Sequence, residues 1–304
     1  MRESLVSVVI PVFNASKYLA EAIDSVLAQS YRPIEIIAVD DGSTDDSLAV
    51  LRGYGDKVIV IEQPNGGQGV ARNTAVDNSS GEYIAFLDAD DIWDPVKLEK
   101  QVALLERHPE AVAVYCDHCV IDSNGDVVAT TAALGGPRVS GRILNNLLEY
   151  SVIVTPSLVM TRRSAFDAAQ GFDVESPRWA EDHGLWLRIS YLGPIIYDIT
   201  NLVGYRRHDS NTYNGPSANF AIGNICALKR LLAFLSSDEN PALIENIERK
   251  IYIKTIELAF RYVGNGDWRS GIKTYLRAIR VRPFCNNAWL GLINIPRLAM
   301  KRWV

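Results

Sequence analysis

Three carboxylates fall within four residues at Asp88-Ala89-Asp90-Asp91. They leave a short apolar run, Glu82 to Leu87, that reads as a strand, and they precede Ile92-Trp93-Asp94-Pro95, where a helix is expected with Pro95 in its first turn. Carboxylates packed this closely at the exit of a buried strand repel one another. A hard divalent cation offsets that cost, because Mg2+ and Mn2+ prefer carboxylate oxygens and share their remaining positions with substrate phosphates. A solvated acidic turn that caps the next helix is the plainer alternative, and these four residues alone do not separate the two.

The elements that must position this cluster begin at the N-terminus. Ser7 to Phe13 is a β-branched aliphatic run bounded by turn formers, as expected of a buried parallel strand. Lys17 to Gln29 places Leu19, Ile23, Val26 and Leu27 on one helical face. A second strand, Ile34 to Val39, runs into Asp40-Asp41-Gly42-Ser43-Thr44-Asp45. A helix over Asp46 to Arg52 and a third strand over Val58 to Ile61 follow. This β-α-β-α-β order predicts an α/β fold with a doubly wound, mostly parallel sheet flanked by helices. In such sheets ligands lie outside the carboxyl ends of the strands. Phe13-Asn14, Asp40-Asp41, Gly66-Gly67-Gln68-Gly69 and Asp88 to Asp91 all follow strands, so four polar clusters are expected to meet on one rim. The glycine run partly matches a dinucleotide-binding fingerprint, but Arg72 stands where the third glycine belongs. The better reading lets the glycines turn the backbone near a ligand while Arg72 offers a planar fork to a diphosphate or base.

The length of 304 residues admits one large α/β domain with an appendage, and an apolar fraction of 48% supports a buried core. No secretory signal is recognised at the N-terminus, and four cysteines agree with reduced thiols, so a cytoplasmic location is expected. Cys116-Asp117-His118-Cys119 invites a zinc reading, which fails because residues three apart on a strand face opposite sides. Charge is uneven. From Arg249 onward there are twelve Lys or Arg and two acids, so the first 248 residues carry −15 of a chain whose formal net charge is −5.

Val8 to Asn14, Val39 to Asp45, Gly69-Val70-Ala71-Arg72-Asn73, Phe86 to Asp91 and Ala180-Glu181-Asp182 come in the order seen in inverting family 2 glycosyltransferases of GT-A fold, which the chain resembles over roughly its first two thirds. The resemblance implies transfer of a sugar from a nucleotide-diphosphate sugar to a hydroxyl of a glycan or lipid-linked acceptor, in synthesis of cell-surface glycan or polysaccharide. It implies that Pro11, Phe13, Asp41, Arg72 and Asp88 bind the donor, with Phe13 against the base, Asp41 accepting from its imide N–H and Asp88 at the ribose. Asp90 would hold Mn2+ or Mg2+, Asp182 would be the general base, and Asp91 has no assigned direction. Val203 to Asn211 resembles the strand and loop that close over the diphosphate. There His208 is either a metal or phosphate ligand or a surface-loop histidine.

Residues 1–215 are thus expected to form the catalytic domain. Residues 216–304 read as a basic helical extension, with helices over Ala221 to Leu235, Ala242 to Val263 and Trp268 to Val281. A metal-dependent nucleotidyltransferase or phosphohydrolase, or a non-catalytic nucleotide-sugar-binding protein, would use the same acids. A nucleic acid is not an expected partner. In the tail from Arg277, basic residues alternate with Trp289, Leu290, Leu292, Ile293, Leu298, Met300 and Trp303, and no acid follows Asp267. That pattern fits either a peripheral contact with an anionic membrane or a helix pair packed on the catalytic domain with its basic face in water.

Overall fold

The computed structural model describes residues 3–130, 138–175, 180–208, 218–235, 240–282, 285 and 287–293. Contacts divide the chain into two compact units, Met1–Val174 with Leu185–Thr212, and Glu175–Gly184 with Tyr213–Val304. The boundary read from the sequence kept residues 175–184 in the catalytic part.

The first unit opens with β1 (Val6–Val12), α1 (Leu19–Leu27), β2 (Ile34–Asp40), α2 (Ser47–Gly53), β3 (Ile59–Glu62), α3 (Gln68–Asp77) and β4 (Tyr83–Phe86). β1 is buried along its whole length, which is why its sequence is an unbroken aliphatic run rather than an alternating one. It pairs in parallel with β2 on one side and β4 on the other, and β2 pairs in parallel with β3. The carboxyl ends of these four strands therefore point the same way. Beyond β4 the sheet becomes mixed. β5 (Ile92–Trp93), α4 (Lys97–Arg107), β6 (Ala113–Ile121), β7 (Val127–Thr130), α5 (Leu144–Glu149), β8 (Val159–Arg162), α6 (Arg163–Ala168), α7 (Glu181–Leu192) and β9 (Ile195–Arg206) follow. The strand order is β3-β2-β1-β4-β8-β6-β9-β5, with β7 on β6.

Two antiparallel pairings matter for the site. β8 returns alongside β4, Tyr83 opposite Arg162, and β9 lies beside β5, with Ile92 opposite Gly204 and Trp93 opposite Val203. Because Ile92 and Trp93 are held in this ladder, α4 starts at Lys97 and Pro95 stays in the preceding turn, two residues later than the sequence suggested. Under β4, Phe86, Phe166, Phe172 and Trp186 form an aromatic cluster with ring centroids 5.4 to 6.4 Å apart. The Cys116 thiol is buried and pushed up to about 12 by that burial, while Cys119 is half-buried.

Lys97 is fully buried at the start of α4. Its ammonium lies 4.0 Å from the Trp93 ring centroid and donates to Gln101 Oε1 at 2.7 Å. Burial pushes its pKa down from 10.5 to about 8. A folded value below the unfolded one means that folding expels the proton, so this group's contribution is complete only above pH 10.5 and is lost as pH falls through about 8. The stability of wild type relative to Lys97→Met should therefore rise by about 2 kcal/mol between pH 7 and pH 10. Urea denaturation of both proteins at the two pH values checks this, and a constant difference would contradict it.

The second unit contains α8 (Ala218–Phe234), α9 (Pro241–Gly264) and α10 (Trp268–Val281), which match the three helices expected there to within three residues at each end. Asn240 caps α9 by accepting from Leu243 N, and Asp267 caps α10 by accepting from Ser270 N. Tyr252, Ala259 and Val263 of α9 close on Tyr275, Ala278 and Ile279 of α10 to make its core. No helix among the described residues is long and apolar enough to cross a membrane.

Candidate active site

After β1 the chain turns at Asn14, in left-handed backbone at φ 49°. Asn14 Oδ1 accepts from Thr44 N at 2.8 Å, and Asn14 N donates to Ser43 Oγ at 3.0 Å, so the exits of β1 and β2 are stitched together. Pro11 is buried within β1, whereas Phe13 is 49% exposed at its end, free to cover a planar base. Asp45 fixes the same turn. Although burial opposes it, hydrogen bonds from Ser47 and Ser16 bring its pKa down to about 2.

Asp41 is buried and holds the glycine loop. Its Oδ1 accepts from Gly66 N and Gln63 Nε2, and its Oδ2 from Gly67 N, each at 2.7 Å. Gly67 sits at φ 96°, which a side chain would resist, and α3 starts directly after it. Three charge-assisted bonds leave this carboxylate about one of its four acceptor sites for a ligand. Asp41→Ala should accordingly strand two backbone N–H groups, cost about 3 kcal/mol of stability and weaken binding of a nucleotide-sugar donor. Calorimetric unfolding beside donor titration measures both, and an unchanged melting temperature would count against this role.

Arg72, expected to fork onto a diphosphate, is only 1% exposed and turned inward. Its Nη2 donates to Asp88 Oδ1 at 2.6 Å and to Gln68 Oε1 at 3.3 Å, and its guanidinium lies 5.3 Å from the Phe172 ring centroid. The aromatic cluster under β4 thus fixes Arg72, and Arg72 fixes Asp88. On the other side, Thr155 Oγ1 donates to Asp88 Oδ2 at 2.9 Å, and Asp88 N donates to Ser157 Oγ at 3.0 Å. Asp88 is clamped between α3 and the turn before β8.

Asp90 and Asp91 part company. Asp91 is fully buried and points into the protein, its Oδ1 accepting from Arg206 N at 3.0 Å. Burial first, then Asp90 and Asp88, raises its pKa well above the usual carboxylate range. The β5–β9 ladder puts it there, because it sets the residue before Ile92 against the end of β9. Asp90 keeps part of its carboxylate exposed, and Oδ2 lies 3.0 Å from His208 Nε2. Burial and the charge of Asp88 raise its pKa, against the opposing pull of His208. The His208 ring stacks on Tyr18 at 5.0 Å, and its side chain is 13% exposed. Residues 209–211 of its loop lie outside the described residues.

Arg206, fully buried, ties these parts together. Its Nε donates to Asp90 O at 2.8 Å, its Nη1 to Asp122 O at 3.1 Å and its Nη2 to Glu21 Oε2 at 2.6 Å, while its guanidinium lies 4.5 Å from the Tyr18 centroid. Thr155, Ser157, Tyr18 and Glu21 carry no motif that assigned them to the site, and Arg206 fell within the Val203 to Asn211 stretch without a role of its own. The only local signal was Thr155-Pro156-Ser157 ahead of an apolar strand, a turn signature that does not say where its hydroxyls point.

Asp182 stands in the first turn of α7, within the second unit, and its Oδ1 accepts from His183 N at 2.7 Å. Burial and the Lys254 charge push the neighbouring His183 down to about 4, so that ring is neutral near pH 7.

The donor set around Asp90 suits a hard or borderline divalent cation. One carboxylate oxygen and one imidazole nitrogen are adjacent and partly open, and the carboxylate is held in a setting that penalises its bare charge. No three His, Cys, Asp or Glu among the described residues converge into a closed cage. Such a cation would take its remaining ligands from elsewhere, as Mg2+ does from substrate phosphates.

Comparison with known proteins bears on the fold and the family. The chain is 34% identical over 219 residues to an uncharacterised glycosyltransferase of Rickettsia typhi, an alignment covering 69% of this chain and 66% of that protein. Residues 1–349 of S. aureus TarS superpose with a TM-score of 0.68 at 20% identity, covering 91% of this chain and 81% of that one, and the same protein in complex with UDP-GlcNAc gives 0.67 at 17%. The mannosyltransferase PcManGT of Pyrobaculum calidifontis, in complex with GDP-Man and Mn2+, gives 0.58 at 18% identity over 98% of this chain and 81% of that one. At these identities the structures establish the GT-A fold. The family model for glycosyl transferase family 2 matches residues 7–169, more than half of the sequence, and the chain belongs to that family.

Proposed function

We propose that the chain transfers a sugar from a nucleotide-diphosphate sugar to an acceptor hydroxyl, with inversion at the anomeric carbon. The observation that carries this reading is the partly open Asp90–His208 pair beside the Arg72–Asp88–Thr155 clamp, at the carboxyl ends of parallel strands. Phe13 covers the donor base and Asp41 offers its remaining acceptor site to the imide. Asp88, immobilised on both sides, receives the ribose hydroxyls, and Arg72 acts through Asp88 rather than on the diphosphate.

Asp90 and His208 are the residues that would hold Mn2+ or Mg2+, which when bound offsets charge developing on the leaving diphosphate. Asp182 takes the proton from the acceptor hydroxyl as its oxygen bonds to the anomeric carbon and the carbon–phosphate oxygen bond breaks on the opposite face. The donors seen with relatives of the same fold, UDP-GlcNAc and GDP-Man, support a nucleotide-diphosphate sugar as the donor class. A glycan or lipid-linked alcohol is the acceptor class proposed, in synthesis of cell-surface polysaccharide. Family membership favours sugar transfer over phosphohydrolysis or nucleotidyl transfer.

The test is a panel of nucleotide sugars with Mn2+ or Mg2+, read first by thermal stabilisation and then by nucleoside-diphosphate release with candidate acceptors. Release that requires an acceptor, with an inverted anomeric signal in the product's NMR spectrum, is expected. Cleavage between the phosphates at the same rate without acceptor would defeat the proposal.

A further inference from the structure

The second unit carries a surface that its own core does not explain. On α10, Gly271, Thr274, Tyr275, Ala278 and Ile279 face inward. The opposite face presents Ile272 (39% exposed) and Leu276 (45%) along one edge, with Arg269, Lys273, Arg277 and Arg280 exposed beside them. The helical turn at 287–293 continues this surface. Ala288 and Leu292 pack onto the core of the unit, and at Gly291 a Cβ would overlap the Tyr275 ring, so this face of the turn is pinned inward. Its bulkier apolar residues consequently face out, with Trp289 45%, Leu290 53% and Ile293 68% exposed. An inward face of Ala, Gly and Leu beneath an outward face of Trp, Leu and Ile inverts what a water-facing turn would choose.

Charge identifies the occupant. No acid follows Asp267 in the sequence, so every charged side chain that α10 and the 287–293 turn contribute to this surface is positive. An apolar edge flanked by arginines and lysines, with an aromatic residue beside it, matches the interface of a bilayer bearing anionic headgroups, where apolar side chains enter the acyl boundary and basic ones stay at headgroup level. We infer that α10 and the 287–293 turn dock this protein on an anionic membrane surface. The inference stands independently of the proposed reaction. It starts the contact at Arg269, earlier than the tail from Arg277, and needs none of residues 294–304, which lie outside the described residues.

The test uses the 304-residue chain with vesicles of phosphatidylcholine alone or with added phosphatidylglycerol. Sedimentation is expected only with the anionic vesicles, weakening as salt rises. The triple variant Arg269→Glu, Lys273→Glu, Arg277→Glu is expected to lose at least about 100-fold in partitioning, since each basic residue contributes about fivefold near such a surface. Leu276→Ser with Ile293→Ser should lose at least about 10-fold on both low- and high-salt arms. Circular dichroism and melting temperature of each variant establish that it is folded. Absence of sedimentation at low salt overturns the inference, as does equal binding by the folded triple variant. A wild-type chain that ignores vesicles but sediments as a dimer in the ultracentrifuge also overturns it, assigning the surface to a second copy instead.

Discussion

Asp182→Asn is expected to lower kcat by about 100- to 10,000-fold, the usual worth of a general base, while the donor's dissociation constant stays within about threefold. The amide is nearly isosteric with the carboxylate, and its oxygen can still accept from His183 N as Asp182 Oδ1 does at 2.7 Å. The first turn of α7 should therefore keep its shape, and the melting temperature should barely move. What the amide cannot do is take up a proton at neutral pH. Burial and the Lys254 charge push His183 down to about 4, and the substitution leaves both causes in place. An acid limb near the ordinary histidine value of 6.5 in the wild-type rate profile is thus not assigned to His183. Steady-state kinetics with a saturating acceptor, paired with calorimetric donor titration, give the two numbers. Wild-type turnover by a folded variant would remove Asp182 from the mechanism, and a large loss of donor affinity would recast it as a binding residue.

The half of the fold that was legible in the sequence is the half whose signals are local. β1, β2 and β4 are apolar runs because parallel strands are covered on both faces, and the polar residues that end them mark the rim where ligands bind. Periodicity likewise located α8, α9 and α10. The second half of the site rests on contacts between residues far apart in the chain. Thr155 reaches Asp88 across 67 positions and Arg206 reaches Asp91 across 115, through antiparallel pairings that no short stretch encodes. Arg72 shows the same limit from the other side. Its residue type suited a phosphate fork, whereas the Phe172 ring beneath it and the Asp88 carboxylate beside it are tertiary facts that the motif does not carry. Neighbours in sequence can also diverge completely: Asp90 meets His208 near the surface while Asp91 is sealed against β9.

That divergence makes Asp90→Ala and Asp91→Ala a matched pair with opposite expected outcomes. Asp90→Ala should cut turnover supported by Mn2+ or Mg2+ by at least about 100-fold, because several kcal/mol of charge stabilisation at the leaving diphosphate depends on the cation's protein ligands. Its fold should survive. Burial and Asp88 raise the pKa of Asp90 in the folded chain, so its stabilising contribution is present at low pH and is lost as pH rises through the folded value. The alanine variant lacks that penalty and should gain relative to wild type as pH rises, when no metal is present. Millimolar Mn2+ should raise the melting temperature of wild type and leave Asp90→Ala unmoved. Asp91→Ala removes the acceptor for the buried Arg206 N–H, which costs about 1–3 kcal/mol, and it loosens the end of β9 that leads to His208. It should therefore lose stability with or without Mn2+. Differential scanning calorimetry of the three proteins, with and without Mn2+ and at two pH values, separates the roles. Equal Mn2+ stabilisation of wild type and Asp90→Ala would move the cation away from Asp90, and full activity of that variant without added metal would remove the cation from the reaction altogether.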